Sequence, residues 1–187
     1  MRIINKDELK HDAKLINELK KSIFVYPTDT IYGIGCDATN EELVKKIREI
    51  KRNPTHPFSI IIPNKNMIYE YCETNEKTKE HVDKLPGPYT LILKVKKKFF
   101  APNVNLKDGT IGIRIPVHWF YKYIKKMKVP VITTSANISG GDVMTNIEDL
   151  DTDIKNKVQF IINDGELKGR PSTLINLTKE GVAVKER

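Results

Sequence analysis

Polar residues that could bind a small anionic molecule follow several apolar runs of the sequence. Tyr26–Gly35 brings two threonines, two tyrosines and two glycines together directly after a β-rich run. Thr133–Gly140 places hydroxyls and an amide after another such run, and Arg170–Thr173 leads into a third. Because binding groups of α/β proteins collect at the ends of strands, these segments predict one shared site.

Two cationic positions extend this set. Lys51 and Arg52 stand at the C-terminal end of a predicted helix, where cations also pair favourably with the helix dipole. Arg114 follows the apolar run Ile111–Ile113. A guanidinium among apolar residues is costly unless it meets an anion, which is either a bound ligand or a structural carboxylate. The residues alone leave both alternatives open.

Several common kinds of site are missing from the sequence. It contains neither a GxxxxGK[ST] phosphate loop nor a GxGxxG dinucleotide fingerprint. The four histidines are scattered and the two cysteines form no CxxC, so no protein-held metal site is predicted. The remaining inventory of hydroxyl, amide and guanidinium groups has no obvious nucleophile. It favours reactions that depend on positioning and charge neutralisation, of which transfer at phosphorus is the leading example.

Alternating predicted strands and helices position these segments. A helical period covers 7–20, and a capping box at Thr39 and Glu42 predicts the start of a helix that ends at Asn53 and Pro54. Further helices are predicted over 65–72, 75–84 and 117–127. Strands are predicted over 22–26, 58–62, 89–95, 110–115, 129–133, 158–162, 173–177 and 182–184. This interleaving is typical of an α/β fold around a mixed sheet.

Length and charge bound the remaining possibilities. The 187 residues fit a single domain, predicted over 1–187. Lysine and arginine total 32 against 24 acidic residues, a net charge of +8. That excess fits either a lysine-rich solvated surface or a partner that carries phosphates. The N-terminus has no apolar signal-peptide core, and no apolar run reaches the length of a membrane span, so we expect a cytoplasmic protein without membrane contact.

Six segments, taken in order, resemble the YrdC/TsaC family of threonylcarbamoyl-AMP synthases. They are YPTDTIYGIGCDA at 26–38, KRNPTHPFS at 51–59, LPGPYTLIL at 85–93, IGIRIPVH at 111–118, TSANISG at 134–140 and GRPSTLINL at 169–177. The resemblance runs from about residue 8 to the C-terminus and is to the short, single-domain form of the family.

The resemblance implies a twisted open α/β sheet, mixed and flanked by helices, with a basic concave cleft. It also implies a nucleotidyltransferase that converts L-threonine, bicarbonate or CO2, and ATP with Mg²⁺ into L-threonylcarbamoyladenylate and pyrophosphate. A partner enzyme then transfers the threonylcarbamoyl group to the adenosine next to the anticodon of certain tRNAs.

The family's site residues carry over to matching positions of this chain. Lys51, Arg52, Ser135 and Asn137 take the catalytic positions. The threonine positions are those of Thr30, Arg114, Ser135, Ser172 and Thr173. The ATP positions are those of Lys51, Arg52, His56, Thr110, Asn137, Thr145 and Arg187. In this alignment Arg114 pairs with the carboxylate of threonine.

One departure from the family concerns the phosphate-binding arginine. Relatives read Lys-x-Arg where this chain reads Lys51-Arg52-Asn53. The simplest alignment deletes the middle residue and keeps Arg52 as the phosphate arginine. The alternative places Asn53 at that position.

Two other functions remain open at this stage. One is a module that binds double-stranded RNA or tRNA without catalysis, which the net charge of +8 allows although no RNA-binding signature is visible. The other is the related domain of a carbamoyltransferase that matures hydrogenases, which carries zinc-finger and acylphosphatase segments that this sequence lacks.

Overall fold

Short apolar runs form a ten-stranded mixed sheet in the computed structural model, which describes residues 1–106, 109–178 and 182–186. The strands are β1 (Arg2–Ile4), β2 (Phe24–Tyr26), β3 (Gly33–Gly35), β4 (Ser59–Ile61), β5 (Tyr89–Lys94), β6 (Thr110–Arg114), β7 (Val131–Ser135), β8 (Phe160–Ile162), β9 (Thr173–Asn176) and β10 (Ala183–Lys185). Their order across the sheet is β1-β8-β2-β3-β7-β4-β6-β5-β9-β10.

Both parallel and antiparallel pairs occur in this sheet. β8 lies parallel to β1 and β2, β4 lies parallel to β6, and β5 lies parallel to β9. The pairs at β3, at β7 and between β5 and β6 are antiparallel. The predicted fold class, an open mixed sheet with flanking helices, is therefore confirmed.

Seven helices flank the sheet within the described residues. They are α1 (Lys6–His11), α2 (Lys14–Lys20), α3 (Glu41–Lys51), α4 (Asn66–Tyr71), α5 (Glu76–Val82), α6 (Tyr121–Met127) and α7 (Thr152–Lys155). Short 3-10 helices cover Pro102–Val104 and Ile147–Asp149. None of the described helices is long and apolar enough to cross a membrane.

Strand alternation divides the buried side chains between the two faces of the sheet. Phe24 and Tyr26 of β2 pack with apolar residues of α1, α2 and α6, whereas Val25 packs with the apolar face of α3. Each fully buried side chain of this size contributes about 1.5–3 kcal/mol relative to leaving it exposed. The two cores hold the sheet between its helices.

Two local predictions were wrong. The single helix predicted over 7–20 is two helices, because Asp12 ends α1 and its carboxylate accepts a hydrogen bond from the Lys14 amide (2.9 Å). The capping box at Thr39 does not form either. Asn40 caps α3 through the Leu43 amide, while the Thr39 hydroxyl donates to Asp37.

Candidate active site

A cavity of about 490 Å³ opens where strands β4, β5, β6 and β7 meet the loop that follows β2. Predicted site residues on its wall are His56, Thr110, Arg114, Ser135 and Ser172. Thr28, Tyr32, Thr90 and Thr133 add hydroxyl groups. The sheet therefore brings together residues from all six segments that the sequence singled out.

Arg114, the last residue of β6, lies on this wall and is 6% exposed. Its Nη2 donates to Asp29 Oδ1 at 2.5 Å and to Thr30 Oγ1 at 3.0 Å. Its Nε is buried without a hydrogen-bond partner among the described residues. The sequence left open whether Arg114 meets a structural carboxylate or a bound anion. The structure shows the carboxylate, Asp29, and also places Arg114 on the cavity wall, where an anion could bind.

The loop that follows β2 is held by its own hydroxyls. Thr28 Oγ1 lies 2.9 Å from Thr30 Oγ1 and donates to the carbonyl of Ile31 at 2.7 Å. Both threonines are buried. Gly169 packs directly on Thr30, since a Cβ at that glycine would lie 2.2 Å from the Thr30 carbonyl oxygen. Thr30 thus stands between Arg114 and the segment 163–172.

Lys51, the last residue of α3, lies behind the loop that follows β7. Its Nζ donates to the carbonyls of Ser135 (2.7 Å) and Asn137 (2.5 Å) and to Asn137 Oδ1 (2.8 Å). Burial lowers its pKa to about 8, because the charged amine is removed from water. An ammonium has three donors, so these three acceptors use all of them. In this structure Lys51 holds the loop rather than reaching into the cavity.

Ser135 and Asn137 complete that arrangement. Ser135 Oγ donates to Asn137 Oδ1 at 2.6 Å, and Asn137 Nδ2 donates to the Gly141 carbonyl at 2.5 Å. Ser135 lies on the cavity wall, whereas Asn137 is buried beneath it. The catalytic positions implied by the resemblance, Arg52 excepted, therefore form one hydrogen-bonded cluster.

The structure does not bring Arg52 to the cavity. Arg52 ends α3 in the left-handed conformation (φ 50°), and its side chain, 65% exposed, pairs with Asp153 at 2.6 Å. Asn53 turns the other way: its Nδ2 donates to Ser139 Oγ (3.2 Å), and its Oδ1 accepts from the His56 amide (2.9 Å). Neither Arg52 nor Asn53 lies on the cavity wall, and of the two only Asn53 contacts the loop that follows β7 through its side chain.

Two further predicted residues, Thr145 and Thr173, also lie off the cavity wall. The Thr145 hydroxyl donates to Asp149 Oδ2 at 2.7 Å, just before Asn146, which caps the 3-10 helix Ile147–Asp149. Thr173 pairs through its backbone with the carbonyl of Pro88. Arg187 lies outside the described residues. By contrast Ser172 lies on the wall, where its hydroxyl is 2.7 Å from that of Thr90.

Sequence reasoning missed two charged residues that shape the site. Asp29 lies inside a quoted segment, but nothing in the sequence shows that it meets Arg114 across 85 positions. Arg48 is buried, and its guanidinium donates to the carbonyls of Asn53, Pro54, His56, Asn103 and Val104. It therefore fixes the loop that carries His56, although its place in a lysine-rich helix suggests exposure.

A second cavity of about 660 Å³, here called the basic cleft, contains none of the predicted site residues. It is lined by Lys65, Lys125, Lys128, Tyr121 and Met67 with neighbouring residues of the same surface. In the part of the chain that the structure describes, no group of three or more His, Cys, Asp or Glu could hold a metal ion.

Comparisons with known proteins agree with this fold. The family model described as "Telomere recombination", which covers Sua5, YciO and YrdC, matches residues 19–186. A Methanocaldococcus jannaschii protein, provisionally named a threonylcarbamoyl-AMP synthase, is 39% identical over 96% of this chain and 86% of its own length. The threonylcarbamoyl-AMP synthases of Bacillus subtilis (30% identical) and Pyrococcus abyssi (34%) match 86% and 84% of this chain.

This chain spans about half the length of those last two relatives, 47% of each. Among solved structures, Pyrococcus abyssi Sua5 complexed with L-threonine superposes with a TM-score of 0.86 at 26% identity, over 98% of this chain and 56% of that one. Escherichia coli YciO superposes with a TM-score of 0.85 over 99% of this chain and 93% of its own. At 24% identity, the YciO match bears on the fold alone.

Proposed function

The chain belongs to the Sua5, YciO and YrdC family, and from this premise we propose that it is a threonylcarbamoyl-AMP synthase. It converts L-threonine, bicarbonate or CO2, and ATP into L-threonylcarbamoyladenylate and pyrophosphate. The observation that carries the proposal is the shared cavity. Arg114 and Ser172 lie on the same wall as Ser135, Thr110 and His56.

The proposed reaction brings together two anions, the carbamate of threonine and ATP. The amine of threonine adds to CO2 to give a carbamate, which releases a proton. A carbamate oxygen then bonds to the α-phosphorus of ATP as the bond to the pyrophosphate oxygen breaks. Positioning and charge neutralisation carry such a step, so the absence of a nucleophile from the predicted site fits it.

The residues divide into a threonine side and a nucleotide side. We assign the carboxylate of threonine to Arg114, whose buried Nε has no partner within the described chain, and place Thr30 and Ser172 beside it. His56, Thr110 and the loop held by Lys51 face the nucleotide. Mg²⁺ enters with ATP as part of that substrate, bound by its phosphates.

We further propose that the product passes to a partner enzyme that modifies tRNA. The adenylate is a mixed anhydride of a carbamic and a phosphoric acid, so it is activated for transfer to an amine. No residue of the chain is assigned to tRNA by this proposal.

The direct test measures pyrophosphate release from the purified protein with ATP and Mg²⁺. Release is expected only when threonine and bicarbonate are both present, with threonylcarbamoyladenylate identified by mass spectrometry. Pyrophosphate release in the absence of either threonine or bicarbonate would contradict the proposal. An RNA-binding module without catalysis, the alternative from the sequence, is not favoured by the relatives' names and would give no release at all.

A further inference from the structure

Asp29 makes two contacts that meet at the threonine side of the cavity. Its Oδ1 accepts from Arg114 Nη2 at 2.5 Å, and its Oδ2 accepts from the backbone amide of Val117 at 3.1 Å. The side chains of Asp29 and Arg114 are 11% and 7% exposed. Asp29 therefore ties the loop that follows β2 to the chain just beyond β6.

These contacts restrict how Arg114 can act. A guanidinium has five N–H donors in a rigid plane, and Asp29 and Thr30 use one corner of it. The Nε on the same plane is left without a partner in the described structure. A carboxylate held at one corner fixes the plane and thereby the direction in which the remaining donors point.

From this geometry we propose that Asp29 is a positioning residue that orients Arg114 for the carboxylate of the substrate amino acid. This inference rests on the proposed function, since it takes threonine as the ligand of Arg114. Asp29 itself is not assigned a contact with substrate, because it does not lie on the cavity wall.

Loss of the Asp29 charge also has a second effect, which would change threonine affinity in the opposite direction. Without the Asp29 carboxylate, Arg114 would carry an uncompensated charge, which attracts an anionic ligand more strongly. An asparagine at position 29 keeps one oxygen but cannot accept from both Arg114 and Val117 in the same way. If orientation dominates, Asp29→Asn weakens threonine binding; if charge dominates, it tightens binding.

The experiment compares the wild type with Asp29→Asn, Arg114→Ala and the double variant. Calorimetry gives the Kd of threonine and of ATP, and pyrophosphate release gives both KM values. Asp37→Asn is the matched control, because Asp37 is similarly buried but, among the contacts described, its carboxylate accepts hydrogen bonds only from Thr39, within its own turn.

We expect Asp29→Asn to weaken threonine binding about tenfold, the loss typical of a charge-assisted contact, and to change ATP binding less than about twofold. In the Arg114→Ala background, Asp29→Asn should weaken threonine binding by less than about a further twofold, because Asp29 acts through Arg114. Asp37→Asn should lower thermal stability without separating the two affinities.

Tighter or unchanged threonine binding in Asp29→Asn would overturn the inference, and so would an undiminished effect in the Arg114→Ala background. Should Asp29→Asn fail to fold, Asp29→Glu keeps the charge while displacing the guanidinium, and the same selective loss of threonine affinity is expected. A wild type that binds threonine but releases no pyrophosphate contradicts the proposed function alone. A wild type that binds no threonine contradicts both.

Discussion

At the scale of single residues, the site depends on which way neighbouring side chains turn at the end of α3. Arg52 and Asn53 are adjacent, yet one pairs with Asp153 at the surface and the other contacts Ser139. The left-handed conformation of Arg52 produces this divergence, because it reverses the chain at the helix end. Residue type alone therefore does not show which of the two side chains contacts the loop that follows β7.

This divergence predicts that Asn53→Ala impairs ATP use more than Arg52→Ala does. An exposed ion pair such as that of Arg52 contributes about 0–1 kcal/mol, so its loss should change the KM of ATP by only a few-fold. Loss of the Asn53 contacts releases both Ser139 and the His56 amide, and an increase of about tenfold or more is expected. Pyrophosphate release at saturating threonine and bicarbonate measures both.

Asp153→Ala is the control for this comparison. If Arg52 serves only its ion pair, Arg52→Ala and Asp153→Ala should behave alike. A much larger defect in Arg52→Ala alone would mean that Arg52 leaves Asp153 when ATP binds, and that the alignment with the deleted residue is correct.

The lowered pKa of Lys51 predicts that ATP affinity depends on pH. Its pKa of about 8 lies below the ordinary value of 10.5, so between these values the unfolded chain binds more protons and stability rises with pH. Deprotonation also leaves two donors for three acceptors in the loop that follows β7. ATP affinity should therefore fall by up to about tenfold from pH 7 to pH 9, as the charged form is depopulated, while thermal stability does not fall.

Calorimetric titration of ATP at both pH values tests this prediction, and the phosphates stay ionised over the range. Lys51→Met should bind ATP weakly at both values and abolish the difference. An equal pH dependence in Lys51→Met would assign the effect to another group.

At the scale of elements, the sequence predicts strands and helices well where apolar periodicity is strong and fails where neighbours impose the structure. β3 is the clearest failure, since Gly33-Ile34-Gly35 has little strand propensity. Its neighbours β2 and β7 supply the pairing, and a Cβ at Gly35 would lie 2.2 Å from the Ile132 carbonyl oxygen. The same limit applies to the predicted site. The motifs indicated segments that the sheet brings to the cavity, but not the contacts that each side chain makes across the sheet.

The segment 163–172 packs against the loop that follows β2, on the side of the cavity where we propose that threonine binds. The Tyr32 hydroxyl donates to the Gly165 carbonyl (2.7 Å) and accepts from the Asp164 amide (3.0 Å). His118 Nε2 lies 3.0 Å from Asp164 Oδ2. Together with the close approach of Gly169 to Thr30, these contacts hold the segment against the loop that follows β2.

This packing predicts that Gly169→Ala selectively impairs threonine use. The added methyl would meet the backbone of Thr30, so either the segment or Thr30 must move. A displacement of about 1 Å at a binding site can cost up to about a hundredfold, and we expect the KM of threonine to rise at least tenfold with the KM of ATP little changed.

Gly165→Ala serves as the comparison in the same segment. Its φ of 70° strains an alanine, but a Cβ there meets nothing within 4 Å. It should lower stability without the selective loss of threonine affinity. Equal kinetic defects in both variants would show that the segment as a whole, not its contact with Thr30, governs the site.

At the scale of the whole molecule, the net charge is +8, yet among the described residues Arg114 is the only lysine or arginine on the wall of the active-site cavity. Arg114 is neutralised by Asp29, and Lys51 is covered by the loop that it holds. Lysines of α6 instead lie over aromatic rings or line the basic cleft. The charge therefore belongs mainly to the outer surface, where it attracts polyanions without selecting among them.

This distribution predicts that any RNA binding by the protein is electrostatic and separate from catalysis. Affinity for a generic RNA duplex should fall steeply between about 50 and 200 mM salt, as counterion release requires. Lys125→Glu combined with Lys128→Glu, on the wall of the basic cleft, should weaken that binding and leave the KM of threonine and ATP unchanged. Fluorescence anisotropy with labelled RNA, beside pyrophosphate release, measures the two properties independently. Salt-insensitive binding would contradict an electrostatic mechanism. RNA that competes with ATP in the double variant would instead place the nucleic acid in the cavity beside Arg114 and give the active site itself a role in RNA binding.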